Sequence, residues 1–210
     1  MMLGARTGAW SGGAKWKNPY ITDGLVAMWD GLWSDPSLAI IDGGDWVDCI
    51  GGARLTGVTK TDVGVSVIKG SLSDKIFDNI LTVEHLGAVS DQSMLYTIYS
   101  NSLGYGYFGI GKKYRGWPSD PLKQWYTNYQ ITIRDNGDGS QTAINTPTNS
   151  RKTTSDVYNP SVVAYKVSLG AGTAGVTYSP YKSIRLYSRL LTDDEIAHNY
   201  EIDKVRFNLP

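Results

Sequence analysis

Residues 184–208 read IRLYSRLLTDDEIAHNYEIDKVRFN, and the periodicity and end signals of this stretch decide the fold class. Ile184, Leu186 and Ser188 alternate with Arg185, Tyr187 and Arg189, the period of two that sets one row of side chains against a core and the other toward water. That is a strand. Thr192 stands three residues before Glu195, the spacing at which hydroxyl and carboxyl cap each other's backbone N–H at a helix start. Leu191 and Ile196 occupy the N′ and N4 positions of the same cap, where two apolar side chains staple the entry. Asp193, Asp194 and Glu195 complement the positive end of the helix dipole, and Lys204 and Arg206 its far end. The spacing predicts a short helix over residues 193–205 with Ile196, Tyr200 and Phe207 on or near one face.

Upstream, strands are expected at 25–30, 54–58, 63–68, 81–86, 94–100, 105–111, 129–134, 141–145, 161–169 and 176–178. They are short and separated by Gly, Asp, Asn, Ser or Pro clusters, with no helical period before residue 192, which is the spacing of a sandwich or barrel. Asp135-Asn136-Gly137-Asp138-Gly139, between two alternating runs, reads as a hairpin turn in which Asn and Gly supply positive φ. Residues 35–45 and 112–124 are the long irregular stretches, the default places for binding on such a scaffold. Residues 1–20, rich in Gly, Ser, Lys and Trp without periodicity, read as an N-terminal arm whose Trp10 and Trp16 dock on a neighbour.

A chain of 210 residues with 41% hydrophobic content suffices for one large all-β domain. Twenty basic residues balance twenty acidic ones, so there is no electrostatic footprint for a nucleic acid partner. Cys49 is the single cysteine, which excludes an internal disulfide and a cysteine-based metal cluster. No apolar run has the length of a membrane span or the pattern of a signal peptide, so folding in a cytoplasm is expected. The aromatics are 14 Tyr and 7 Trp against 3 Phe, a bias toward rings with a polar tip that suits half-wet surfaces such as sugar platforms and subunit contacts.

From Arg185 to Tyr200 the chain resembles the laminin-G-like branch of the concanavalin A-like lectin/glucanase superfamily, in the versions found in phage and prophage structural proteins. Those domains end in a strand R-[IVL]-Y-x-R-x-L-[ST] followed by x-x-E-[IL]-x-x-N-Y. The matching residues are Arg185, Leu186, Tyr187, Arg189, Leu191, Thr192, Glu195, Ile196, Asn199 and Tyr200. Residues 24–30, GLVAMWD, are similar to the family's opening strand, and residues 46–52, WVDCIGG, to its W-x-D-x-x-G turn. Tyr181-Lys182-Ser183 stands where Gly-x-Ile often precedes the arginine strand, and the middle of the chain carries no motif of the family. The resemblance implies an all-β fold, an antiparallel two-sheet β-sandwich of the concanavalin A-like jelly-roll type closed by a short C-terminal α-helix, over residues 21–210.

It also sets the expected chemistry. Glucanases of the superfamily carry glutamates at alternate positions of one strand, so that acid and nucleophile face one groove about 5 Å apart. This chain has Glu84, Glu195 and Glu201 alone, of which only Glu84 falls on an expected strand, with Leu86 two residues on. A non-enzyme is expected. His85 and His198 have no second ligand at metal spacing, and no Ser–His–Asp set can be nominated. Gly104, Gly106 and Gly109 match a dinucleotide fingerprint in letters only, since no helix pattern follows and Pro118 intervenes.

Two kinds of site remain open. Relatives in the superfamily often hold a rim Ca²⁺, and Asp42, Asp45 and Asp48 form the densest acidic loop, with Asp135 and Asp138 a weaker second; solvated Asx turns explain the same residues without metal. Trp33, Trp117, Trp125, Tyr126 and Tyr129 are the candidates for stacking on carbohydrate, with core or subunit packing as the competing role. The function expected is a non-catalytic virion structural or adhesion module of fibre, tail or capsid, made in the host cytoplasm without a signal peptide. It would be a homo-oligomer whose partners are other virion or surface proteins and host-surface glycans, without membrane insertion. The alternative is a secreted or cell-surface carbohydrate-binding module; a glycan-active hydrolase ranks below both.

Overall fold

The structure is a computed structural model that describes residues 18–31, 44–60, 65–67, 71–87, 96–99, 130–138, 140–154, 164–169 and 181–209. The described residues are mostly β, with every strand pairing antiparallel and one helix at the end of the chain. The larger sheet is organised around β13 (Tyr181–Tyr187), flanked on one side by β7 (Thr82–Gly87) and on the other by β1 (Leu25–Asp30). Beyond β7 come β9 (Gln130–Asp135), β10 (Gln141–Asn145) and, at the edge, β11 (Ser150–Thr154). At the start of β13, Tyr181 also meets β4 (Val65–Val67), which leads to β3 (Arg54–Lys60) and to the opposite edge, β2 (Gly44–Val47). A smaller sheet collects β5 (Ser71–Leu72), β6 (Phe77–Asp78) and β8 (Tyr96–Tyr99) around β12 (Ala164–Leu169).

Register explains how the two faces of the large sheet differ. Ile184 lies opposite His85 and Trp29, and Leu186 opposite Val83 and Ala27; these side chains share one face. All but His85 join one apolar cluster with Trp46, Leu55 and Ile80 and with Phe77 and Val167 from the smaller sheet, so both sheets contribute to a common core. Trp29 fixes its position there by donating Nε1–H to the Trp46 carbonyl at 3.0 Å and by meeting the Phe77 ring edge-to-face at 5.7 Å.

The other row of β13 corrects an expectation. Ser183, Arg185 and Tyr187 do not face water; all three are 0% exposed, because helix α1 (Asp193–Phe207) lies over them. The strand at the centre of the sheet is therefore covered on both faces, and β7, whose six residues are all buried, is covered likewise.

The expected hairpin between β9 and β10 forms, with Arg134 opposite Thr142. Its positive φ comes from Gly137 (+80°), while Asn136 keeps an ordinary φ and instead donates its backbone N–H to the Ser140 carbonyl. The expected strands at 105–111 and 176–178 lie outside the described residues.

Candidate functional site

The helix is held at its N-terminal end as its sequence implies. Thr192 Oγ1 accepts the Glu195 N–H at 3.3 Å and the Glu195 carboxylate accepts the Thr192 N–H at 2.8 Å. Arg189 reaches the same carboxylate through both Nη atoms, at 2.8 and 2.7 Å, and its guanidinium beside Glu195 lowers that carboxyl to about 2. Asp193, one residue into the helix, takes Arg134 from β9 at 2.6 Å and Arg151 from β11 at 2.5 Å. Leu191 and Ile196 are buried with Tyr187 and Ile144, and Ile21 and Leu25 pack against them. This is the staple.

Further along, the helix docks through polar side chains. Its buried positions are Ile196, Asn199 and Asp203, one stripe at helical spacing, whereas Tyr200 and Phe207, expected on or near one face with Ile196, are only half-buried. The Asp203 carboxylate receives Arg185 through Nη1 at 2.9 Å and Nη2 at 2.5 Å, a bidentate pair at 0% exposure on both sides. Arg185 donates its remaining Nε–H to Glu84 Oε2 at 2.8 Å, also at 0% exposure. Asn199 donates to Glu84 Oε2 at 2.8 Å and to the Tyr187 hydroxyl at 3.0 Å, and accepts the Ile21 backbone N–H at 3.0 Å.

The segment before β1 completes the cluster. Tyr20 is buried, its hydroxyl donating to Asp203 at 2.5 Å and accepting from Arg206 at 2.6 Å, while its ring lies 4.1 Å from the Arg185 guanidinium carbon. Arg206 in turn takes both oxygens of Asp30, at 2.7 and 3.1 Å. Residues from five parts of the chain, at positions 20, 30, 84, 185 and 199–206, thus close one polar latch between helix and sheet. Tyr20 and Ile21, among the first described residues, are thus tied to the helix.

Electrostatics inside the latch follow from exclusion of water. Burial raises the Tyr20 and Tyr187 hydroxyls far above the usual phenol range and keeps them neutral. Burial also raises Glu84, against the pull of Arg185 and with a further push from Asp203. Burial works against the charge of Arg185, yet the bidentate Asp203 carboxylate more than offsets it and holds the guanidinium charged. Such a cluster adds modest net stability but is costly to break, because each partner left behind is an uncompensated polar group in a dry site. What it specifies is where the helix sits.

The latch explains why the closing motif has its spacing. Arg185, Tyr187, Arg189, Leu191, Thr192, Glu195, Ile196 and Asn199 each cap, staple or bridge helix to sheet. Of the opening motif, Asp48 does the equivalent work: its carboxylate accepts N–H groups from Met28 at 2.6 Å, Ile50 at 2.9 Å and Gly51 at 2.8 Å, tying the turn to the edge of β1 away from β13.

Of the residues proposed for calcium, then, Asp48 gives its oxygens to backbone amides, Asp45 pairs with Arg54 at 3.0 Å, and Asp42 lies outside the described residues. In the hairpin turn Asp135 accepts the Gly137 N–H at 2.7 Å and Asp138 the Ser140 N–H at 2.8 Å. Among the described residues no group of three His, Cys, Asp or Glu side chains is placed to hold a metal. Trp33, Trp117, Trp125, Tyr126 and Tyr129, and the Gly104–Gly109 pattern, lie outside the described residues. His85 is buried on the core face against the Tyr181 ring, where burial lowers it to about 3, and His198 is exposed with Nε2 3.2 Å from the Pro19 carbonyl. Burial also pushes the Cys49 thiol up to about 12, which leaves it a poor nucleophile.

Sequence reasoning missed the latch because its partners are far apart in the chain. The signal was present but weak: an arginine in the strand row opposite the apolar one, and Asn199 and Asp203 continuing the stripe from Ile196.

No family model matches the chain, and no curated protein does. Among solved structures it is similar in fold to Trypanosoma rangeli sialidase, with a TM-score of 0.51 at 10% identity over 88% of this chain and 33% of that one. A mutant of Trypanosoma rangeli sialidase displaying trans-sialidase activity matches with a TM-score of 0.49 at the same identity and coverage. At such identity the likeness is one of fold, and the chain spans about a third of the length of the sialidase it matches.

Proposed function

We propose that this chain is a non-catalytic concanavalin A-like module, its two sheets packed as a jelly-roll sandwich, that serves a phage or prophage particle as a structural or adhesion part and attaches it to surface carbohydrate. The observation that carries the non-catalytic reading is the fate of the glutamates. Glu84, the one on a strand, is fully buried under α1 against Arg185 and Asn199; Glu195 is held by Arg189, and Glu201 pairs with Lys204 at 2.6 Å. A glycosidase acid needs a carboxyl facing a groove with a second one near it, and each of these three is engaged in holding the fold. The virion assignment is supported by the sequence resemblance of the closing strand and helix.

A carbohydrate ligand is favoured by the likeness in fold to part of a sialidase, and by the surplus of tryptophan and tyrosine over phenylalanine. The same likeness favours, as a second reading, a carbohydrate-binding module of a secreted or cell-surface protein. A glycan array with the purified chain, and with Trp117→Ala beside it, tests the shared part: binding lost in the variant supports it, and silence of the unsubstituted chain across all glycans overturns it. Light scattering separates the two, since a particle component is expected to be a homo-oligomer and a tethered module a monomer.

A further inference from the structure

Inside the latch one cation faces two carboxyl groups, and all three side chains are 0% exposed. Arg185 gives both Nη atoms to Asp203, the geometry of a full ion pair, and only Nε to Glu84. Glu84 Oε2 accepts from Arg185 and Asn199, while its Oε1 meets no hydrogen-bond partner among the described residues. Among the described residues the groups that face Glu84 are Arg185 and Tyr187 from β13, Asn199 and Asp203 from α1 and Thr132 from β9, with the Tyr20 ring over Arg185. None of the others is a cation, and the nearby Arg206 is engaged by Asp30. Two ionised carboxylates on one guanidinium would leave a buried negative charge uncompensated, and such a group binds a proton rather than remain charged.

We infer that Glu84 is protonated whenever α1 is docked, so that closing the latch takes up one proton and the helix is held more tightly in acid than in base. The proton comes from solvent, since a glutamate in the unfolded chain is ionised at neutral pH. Burial as the leading cause of the raised Glu84 value agrees with this, with Arg185 pulling the other way and Asp203 adding to it. Because the folded value lies above the unfolded one, the contribution is complete below about pH 4.3 and is lost as pH rises through the folded value. Across that window the folding equilibrium constant falls by up to about tenfold per pH unit on account of this one group.

The test compares the full chain with Glu84→Gln by denaturant unfolding from mildly acid to mildly alkaline pH, together with infrared spectroscopy of the protonated-carboxyl band. The unsubstituted chain is expected to lose stability as pH rises and to show a band that Glu84→Gln lacks; the variant is expected to fold and to lose that part of the slope. In Asp203→Asn, Arg185 is left to Glu84 alone, so Glu84 gives up its proton and the band disappears there too. An unchanged slope in Glu84→Gln, no band assignable to Glu84, or a band persisting in Asp203→Asn overturns the inference. A Glu84→Gln chain that cannot fold overturns it as well, because a neutral amide would then fail where a neutral acid is claimed to sit.

Discussion

Replacing Arg185 by Met should cost far more than its place in a surface-type motif suggests. The side chain is 0% exposed and supplies two hydrogen bonds to Asp203, one to Glu84 and a cation over the Tyr20 ring. Methionine fills much of the same volume, so little of the loss is cavity; the loss is the Asp203 charge left in a dry site without its counterion. Breaking a buried pair from one side costs about 3–5 kcal/mol, which for a chain of this length lowers the melting temperature by roughly 6–20 °C. Arg189, four residues later in the same motif, provides the internal control. Its pair with Glu195 is 28% and 24% exposed, and Arg189→Met should cost about 1 kcal/mol. Urea unfolding of the two variants side by side, followed by far-ultraviolet circular dichroism, reads the difference directly. Equal losses, or a loss below about 1 kcal/mol for Arg185→Met, would show that the latch is wetter or looser than described and refute the reasoning.

Tyr20→Phe keeps the ring under Arg185 but removes the hydroxyl between Asp203 and Arg206, and should cost about 1–3 kcal/mol in the same unfolding assay. Gly24→Ala should destabilise by more than about 1 kcal/mol, seen as a lower melting temperature, since Gly24 has φ +73° and an added Cβ would lie 2.8 Å from Arg189 Cγ. Glu195, lowered from 4.5 to about 2 by the Arg189 guanidinium and the Thr192 N–H, contributes stability that is present above its unfolded value and is lost as pH falls from about 4.5 toward 2; Glu195→Gln should flatten that acid limb in a pH series of melting temperatures.

Local signals carried much of this fold. β1 and β10 occupy the residues their alternation marks, and Thr192 with Glu195 marks the helix start, because capping and period are properties of neighbours in sequence. β11 was not legible: Ser150-Arg151-Lys152-Thr153-Thr154 has no apolar row, as suits a strand at the sheet edge where charge discourages further pairing. β2 falls partly in a stretch that reads as irregular and is a strand because β3 pairs with it. The latch was least legible. Arg185 and Glu84 are 101 residues apart, and no local period can pair them. A helix whose buried stripe is Ile196, Asn199 and Asp203 reads, from its own letters, as placing Tyr200 and Phe207 on or near one face with Ile196. Of the binding residues the sequence suggested, Asp45 and Asp48 have structural partners, and the aromatic set belongs to stretches outside the described residues.

Bonds that join position 20 to 203 and 84 to 185 also set a timetable for synthesis. While the ribosome is still adding residues before 185, Glu84 and Asp30 have no guanidinium to meet, and β7 lacks both the central strand beside it and the helix above it. Contacts of such long range form late, and the strands already released wait as unpaired edges open to other chains. Emergence of β13 and α1 is therefore the event that gives β7 its neighbour and its cover, and a nascent chain stalled short of them is the form most in need of a chaperone.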